Sequence, residues 1–158
     1  MPYIHHPHRR QSKYAHQKSQ WTISQQEELA VYQNSINNNW LAGVFYWGLH
    51  LQGNAPQQLG VYKQPSSFGL KIAKFVGDQQ NNWHGYPVAH WLSPWDKPTD
   101  EVLMKWKDAG IINKAKMAKI HKGKNAIREL IHKRGLLGFP DLLGRFDVVW
   151  SGWVVEQS

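Results

Sequence analysis

"LGVYKQPSSFGLKIAKFVG", residues 59–77, is the stretch that decides the predicted fold class. In its second half, Leu70 and Ile72 share one face of an extended strand while Ala73 and Phe75 share the other, because side chains alternate along a strand. The "PSSFG" between the two apolar runs is typical of a turn between short strands. The stretch therefore predicts two strands of an antiparallel meander.

The preceding segment predicts one helix and one further strand. "SQQE" has the pattern of a capping box, in which Ser24 caps a helix and Glu27 reaches back to the backbone. Apolar residues then recur at helical spacing up to the asparagines at 37–39, which compete for backbone hydrogen bonds. The aromatic run "WLAGVFYWGLHLQ", residues 40–52, indicates a strand. A buried helix that continues from the first is the alternative.

The C-terminal third predicts short helices and a returning strand. Residues 99–110, 113–123 and 125–135 each begin with a capping residue and end at a glycine. "FDVVWSGWVVE", residues 146–156, reads as an apolar strand. Strands and helices are thus segregated, which predicts an α+β fold with an antiparallel sheet of about four to five strands, an N-terminal helix and a basic cluster of three short helices.

The length of 158 residues fits one domain of ordinary size. Residues 1–20 are polar, basic and rich in histidine, with too little apolar surface to offset the entropy of ordering. The sequence therefore predicts a flexible basic arm over residues 1–20 and a single globular domain over residues 21–158.

Composition excludes several classes of chemistry. The chain has no cysteine, which excludes disulfides, thiolate metal sites and cysteine nucleophiles. It has no run of about 18 apolar residues, and its N-terminus lacks the apolar core of a secretory signal. We therefore expect a cytoplasmic protein with no membrane partner and no cofactor.

The net charge of +8 is concentrated in two segments. Residues 1–20 contain four Lys or Arg and no acid, and residues 105–134 contain ten Lys or Arg against two acids. A clustered basic surface is typical of proteins that bind polyanions. The alternatives are a solvated lysine-rich surface and a surface that meets an acidic protein or a membrane.

The basic segment offers a row of cations at helical spacing. Lys116, Lys119 and Lys122 follow one another three residues apart, so they form one stripe on a helix. Four further residues extend the patch: Lys124, Arg128, Lys133 and Arg134. We expect these side chains to bind the phosphates of RNA or DNA without reading bases.

The stretch "NNWHGYPVAHWLSPW", residues 81–95, contains the candidate catalytic residues His84 and His90. Two histidines on opposite sides of a phosphate, with cations nearby, can cleave RNA without a metal. On an extended chain, however, the two lie about 20 Å apart, so only a bend at residues 85–87 brings them together. Neither H-x-x-x-H nor H-x-H occurs around these residues, so no metal site is expected.

The same stretch contains four aromatic candidates for base stacking: Trp83, Tyr86, Trp91 and Trp95. Exposed aromatic rings beside cations bind single-stranded bases, although tryptophan is more often part of a core. The leading hypothesis is a small basic nucleic-acid-binding protein, such as an accessory factor of a bacterium or mobile element. The alternatives are a toxin-type metal-independent RNase and a protein-interaction or inhibitor module that uses the Trp-rich patch.

Overall fold

The computed structural model describes residues 2–62 and 68–123. By its internal contacts the chain divides into two compact units: a first unit of Met1–Ala89 with Pro98–Lys114, and a second unit of His90–Lys97 with Ala115–Ser158. The predicted third short helix and the predicted last strand lie outside the described residues. A single domain over residues 21–158 therefore stays a prediction.

Three α-helices lie in the described residues: α1 (Gln25–Asn37), α2 (Asp100–Asp108) and α3 (Lys114–His121). The capping box that begins α1 is confirmed, because Ser24 Oγ accepts from the Glu27 N–H at 3.0 Å and the Glu27 carboxylate accepts from the Ser24 N–H at 2.9 Å. Thr99 caps α2 as predicted, and Gly110, at φ +77°, follows its end.

The described strands form three antiparallel sheets. The largest has the order β2 (Leu41–Ala42), β3 (Phe45–Gly48), β8 (Ala73–Gly77) and β9 (Trp83–Pro87). A second sheet contains β1 (Gln20–Trp21), β6 (Gly60–Val61) and β7 (Gly69–Leu70), and β4 (His50–Gln52) pairs with β5 (Ala55–Gln57). The prediction of an α+β fold with antiparallel pairing is confirmed, with the strands divided among several small sheets.

The predicted strand over residues 69–77 is in fact two strands that belong to different sheets. The Leu70 carbonyl accepts from the Leu59 N–H at 2.8 Å, whereas the Ile72 carbonyl accepts from the Val88 N–H at 2.9 Å. Backbone partners therefore change between these two residues, which alternation of side chains cannot reveal. Residues 40–52 are also divided. Gly43, at φ +63°, permits a turn between β2 and β3 of the largest sheet, and β4 belongs to a different sheet.

Aromatic packing between α1 and the largest sheet forms the core of the first unit. Phe75 on β8 is fully buried and lies 5.2 Å, ring to ring, from Tyr32 on α1. Gly85 on the neighbouring strand faces Phe75 so closely that a Cβ there would come within 2.3 Å of the ring. Lys74 is also buried, and its ammonium lies 4.1 Å from the centre of the Phe45 ring, a cation–π contact.

The N-terminal segment packs along β9, which is an edge strand. The Ile4 N–H donates to the Trp83 carbonyl at 2.7 Å, and the Trp83 N–H donates to the Pro2 carbonyl at 2.8 Å. Two 3-10 turns follow, at Pro7–Arg9 and Ser12–Tyr14. Sequence analysis missed these contacts when it assigned residues 1–20 to an arm; the mobility of that segment stays a prediction.

Candidate nucleic-acid interface

Helix α3 presents the predicted lysine row to solvent. Lys116, Lys119 and Lys122 are all exposed, whereas Ile120 is 4% exposed and anchors the helix. The Lys122 N–H donates to the Ala118 carbonyl at 3.0 Å, so the helical path continues as far as this lysine. The other four predicted phosphate ligands lie outside the described residues: Lys124, Arg128, Lys133 and Arg134.

The segment His90–Lys97 of the second unit runs beside the end of α3. The ammonium of Lys97 donates to the His121 carbonyl at 2.9 Å, which places a cation at the negative end of the helix dipole. At Gly123, a Cβ would lie 3.9 Å from the Cα of Trp91, an ordinary packing distance. The described residues of this unit contain four lysines and a single acid, Asp96.

Trp95 is the most exposed large apolar side chain among the described residues. It lies in the 3-10 turn Pro94–Asp96, where the Ser93 hydroxyl accepts from the Trp95 N–H at 3.2 Å. The residue is 77% exposed, although an indole is usually packed against neighbours. This turn thus presents the ring at the surface of the same unit as the lysine row.

The other three predicted stacking residues are less available. Trp83 packs edge-on against Tyr46 with ring centres 5.4 Å apart, as part of the shell around the core. Tyr86 is covered by the guanidinium of Arg9, 4.5 Å from its ring centre. Trp91 is half-buried, and its ring meets that of His90 edge-on at 5.2 Å. The structure therefore singles out Trp95 as the stacking candidate.

The two candidate catalytic histidines belong to different units. His84 lies on β9 in the first unit, while His90 lies in the second. The Nδ1 atom of His90 is buried without a hydrogen-bond partner. Burial, followed by the charges of Lys116 and Lys97, lowers the pKa of His90 to about 3. The ring is therefore neutral at neutral pH, and neither unit contains the predicted His84–His90 pair.

His84 has other histidines as neighbours, which sequence analysis missed. Its ring centre lies 5.9 Å from that of His6, and the His6 ring lies 4.9 Å from that of His8. Burial lowers the pKa of His6, and the positive charges of the surrounding basic groups lower it further. The only sequence signal was local: Pro7 begins a turn in which His6 Nδ1 accepts from the His8 N–H at 3.1 Å.

The chain matches no protein-family model, no curated protein and no solved structure. Within residues 2–62 and 68–123, no group of three or more His, Asp or Glu side chains is placed to hold a metal ion. No helix in that same part of the chain has the length and apolar character needed to cross a bilayer. The function must therefore be argued from the charges and aromatic rings of the two units.

Proposed function

We propose that the protein binds single-stranded nucleic acid through its second unit, with the lysines of α3 on the phosphates and Trp95 stacked on a base. The observation that carries this proposal is the 77% exposed indole of Trp95 in a unit whose described charged residues are mostly lysines. Stacking on an aromatic ring contributes about 1–3 kcal/mol per base and needs no particular sequence.

The lysine row suits a flexible polyanion. Each step of three residues along an α-helix advances about 4.5 Å, and a lysine stem can adjust by rotation about its bonds. Lys116, Lys119 and Lys122 therefore offer three ammonium groups on one side of the helix, at a spacing that a phosphate chain can follow. Release of condensed counterions from the strand supplies the binding free energy, so affinity falls steeply as salt rises.

A protein partner is the competing interpretation of the same features, because tryptophan is also common at the centre of protein interfaces. The lysine row favours a polyanion, since lysine is depleted from the core of such interfaces. Location in the cytoplasm, expected from the sequence, stays a prediction.

Fluorescence anisotropy with labelled single-stranded RNA and DNA tests the proposal. We expect saturable binding at low salt that the double variant Lys119→Glu/Lys122→Glu lowers at least tenfold. The matched control Lys71→Glu/Lys107→Glu makes the same change in net charge on the first unit and should retain most of the affinity. Equal losses in both variants, or no binding by the native chain, would contradict the proposal.

A metal-independent nuclease is the second candidate, and the short distance between His6 and His84 favours it. A base and an acid on opposite sides of one phosphate are what such cleavage requires. Incubation with labelled RNA in EDTA tests it: we expect His84→Asn and His6→Asn to abolish any cleavage and His90→Gln to leave it intact. Absence of cleavage by the native chain removes this candidate and leaves the binding proposal standing.

A further inference from the structure

We propose that His6, His8 and His84, together with Arg9 and Lys18, form a second binding site, in the first unit, that takes a phosphate group. This site goes beyond the strand-binding proposal, because it uses other residues in another unit. It shares His6 and His84 with the nuclease candidate but requires no cleavage. Its ligand is a phosphate that is either free, carried by a mononucleotide, or part of a nucleic-acid strand.

Two structural elements bring these side chains together. Strand β9 presents His84, and the turn Pro7–Arg9 presents His8 and Arg9 beside it. The ring centres of His6 and His84 are 5.9 Å apart, and those of His6 and His8 are 4.9 Å apart. Charge-assisted N–H···O bonds to phosphate are about 2.7–2.9 Å long, so rings at these separations can donate to different oxygens of one phosphate.

Neighbouring contacts hold the site in place. The Arg9 guanidinium lies over the Tyr86 ring at 4.5 Å and donates to the Ser19 hydroxyl at 3.0 Å. The His8 ring stacks on Tyr14 with 3.9 Å between their centres. A site on such fixed groups loses little conformational entropy when its ligand binds.

The charge around His6 is of one sign. The groups that lower its pKa by their charge are all basic: His8, Arg9, His84 and Lys18. The buried carboxylate of Glu28, against which the N-terminal segment packs, is already bound by Arg10 and Tyr3. Protonation of the His6 imidazole is therefore opposed in the empty site. A bound anion offsets this positive charge, so binding of an anion whose own charge stays constant over the pH range should be accompanied by proton uptake at His6.

Isothermal titration calorimetry of the full chain tests this site. Inorganic phosphate, a nucleoside 5′-monophosphate and a single-stranded oligonucleotide are titrated at about pH 6 and pH 7.5, on either side of the ordinary histidine pKa. We expect saturable binding of the phosphate probes. For the oligonucleotide, whose phosphodiesters keep the same charge at both pH values, binding to Lys119→Glu/Lys122→Glu should be several-fold tighter at the lower pH, with net proton uptake measured from two buffers of different ionisation enthalpy. The phosphate source whose affinity His84→Asn lowers most is the natural ligand of this site.

Variants separate the site from general charge effects. His6→Asn and His84→Asn should each weaken phosphate binding at least fivefold, whereas His16→Asn, an exposed histidine of the same segment, should not. Lys18→Gln should weaken phosphate binding by less, because it removes a charge but no imidazole ring. Circular dichroism checks that each variant is folded. Failure of the native chain to bind phosphate, or unchanged affinity in His84→Asn, would overturn the proposal. Lys119→Glu/Lys122→Glu should retain phosphate binding, so failure of the strand-binding proposal is recognised separately.

Discussion

Arg10 donates two hydrogen bonds to the buried carboxylate of Glu28, from Nε at 3.2 Å and from Nη2 at 2.7 Å, both to Oε1. Glu28 has no exposed surface, and the Tyr3 hydroxyl donates to its other oxygen. The pKa of Tyr3 is raised by burial and, next in size, by this carboxylate. One glutamate on α1 thus fastens the N-terminal segment that carries His6 and His8.

Glu28→Gln should destabilise the protein by about 3–5 kcal/mol, because loss of the fully buried carboxylate leaves the charge of the partly buried Arg10 without compensation. Urea unfolding measures the change. Limited proteolysis should show faster cleavage within residues 2–20 under native conditions. The control Glu101→Gln changes an exposed carboxylate and should lie within about 0.5 kcal/mol of the native chain. Unchanged stability and protection in Glu28→Gln would show that this carboxylate does not hold the segment.

His90 should make the protein sensitive to mild acid. Its folded pKa of about 3 lies below the ordinary value of about 6.5, so the unfolded state takes up the proton first as pH falls. The contribution of His90 to stability is therefore complete above about pH 6.5 and decreases from there toward pH 3, by at most about 1.4 kcal/mol per pH unit.

Urea unfolding of the native chain and of His90→Gln, at several values from about pH 7.5 to pH 5, checks this prediction. Carboxylates titrate mainly below this range, so the difference between the two proteins isolates the histidine. The native chain should lose more stability than the variant over the interval. Parallel pH profiles would contradict burial of a neutral His90.

Trp95→Ala should weaken binding of a single-stranded oligonucleotide by about 1–3 kcal/mol, the contribution of one stacked base. It should hardly change the free energy of unfolding, because the ring is 77% exposed. Trp95→Phe should retain part of the affinity. Val44→Ala removes another exposed apolar side chain, 69% exposed and in the first unit, and serves as the control. If Trp95→Ala bound the oligonucleotide with native affinity, the exposed ring would have no role in strand binding.

Local signals in the sequence predicted the helices well. Ser24 and Thr99 mark helix starts through a hydrogen bond to a backbone N–H three residues on, which depends only on near neighbours. Pro87, which has no N–H to donate to a neighbouring strand, lies on β9 at the edge of its sheet. Division of the strands into three sheets could not be predicted, because it depends on which distant backbone groups pair.

In the candidate sites, too, local features could be predicted from the sequence and contacts between distant segments could not. Exposure of Lys116, Lys119 and Lys122 followed from helical spacing, and the structure places all three at the surface. The contacts of His6 with His84 and of Arg10 with Glu28 join segments that are distant in sequence. No short motif encodes such contacts, since they arise only when the N-terminal segment packs on β9 and α1.

The salt dependence of binding to a labelled single strand, from about 50 to 200 mM salt, tests the strand-binding proposal most directly. If Lys116, Lys119 and Lys122 each neutralise one phosphate, the logarithm of the affinity should fall with the logarithm of salt with a slope of about −2 or steeper. Lys119→Glu/Lys122→Glu should reduce the size of that slope by at least about 1.4, and Lys71→Glu/Lys107→Glu should leave it unchanged. Absence of binding at low salt, or the same slope in all three proteins, would contradict a phosphate-binding role for α3.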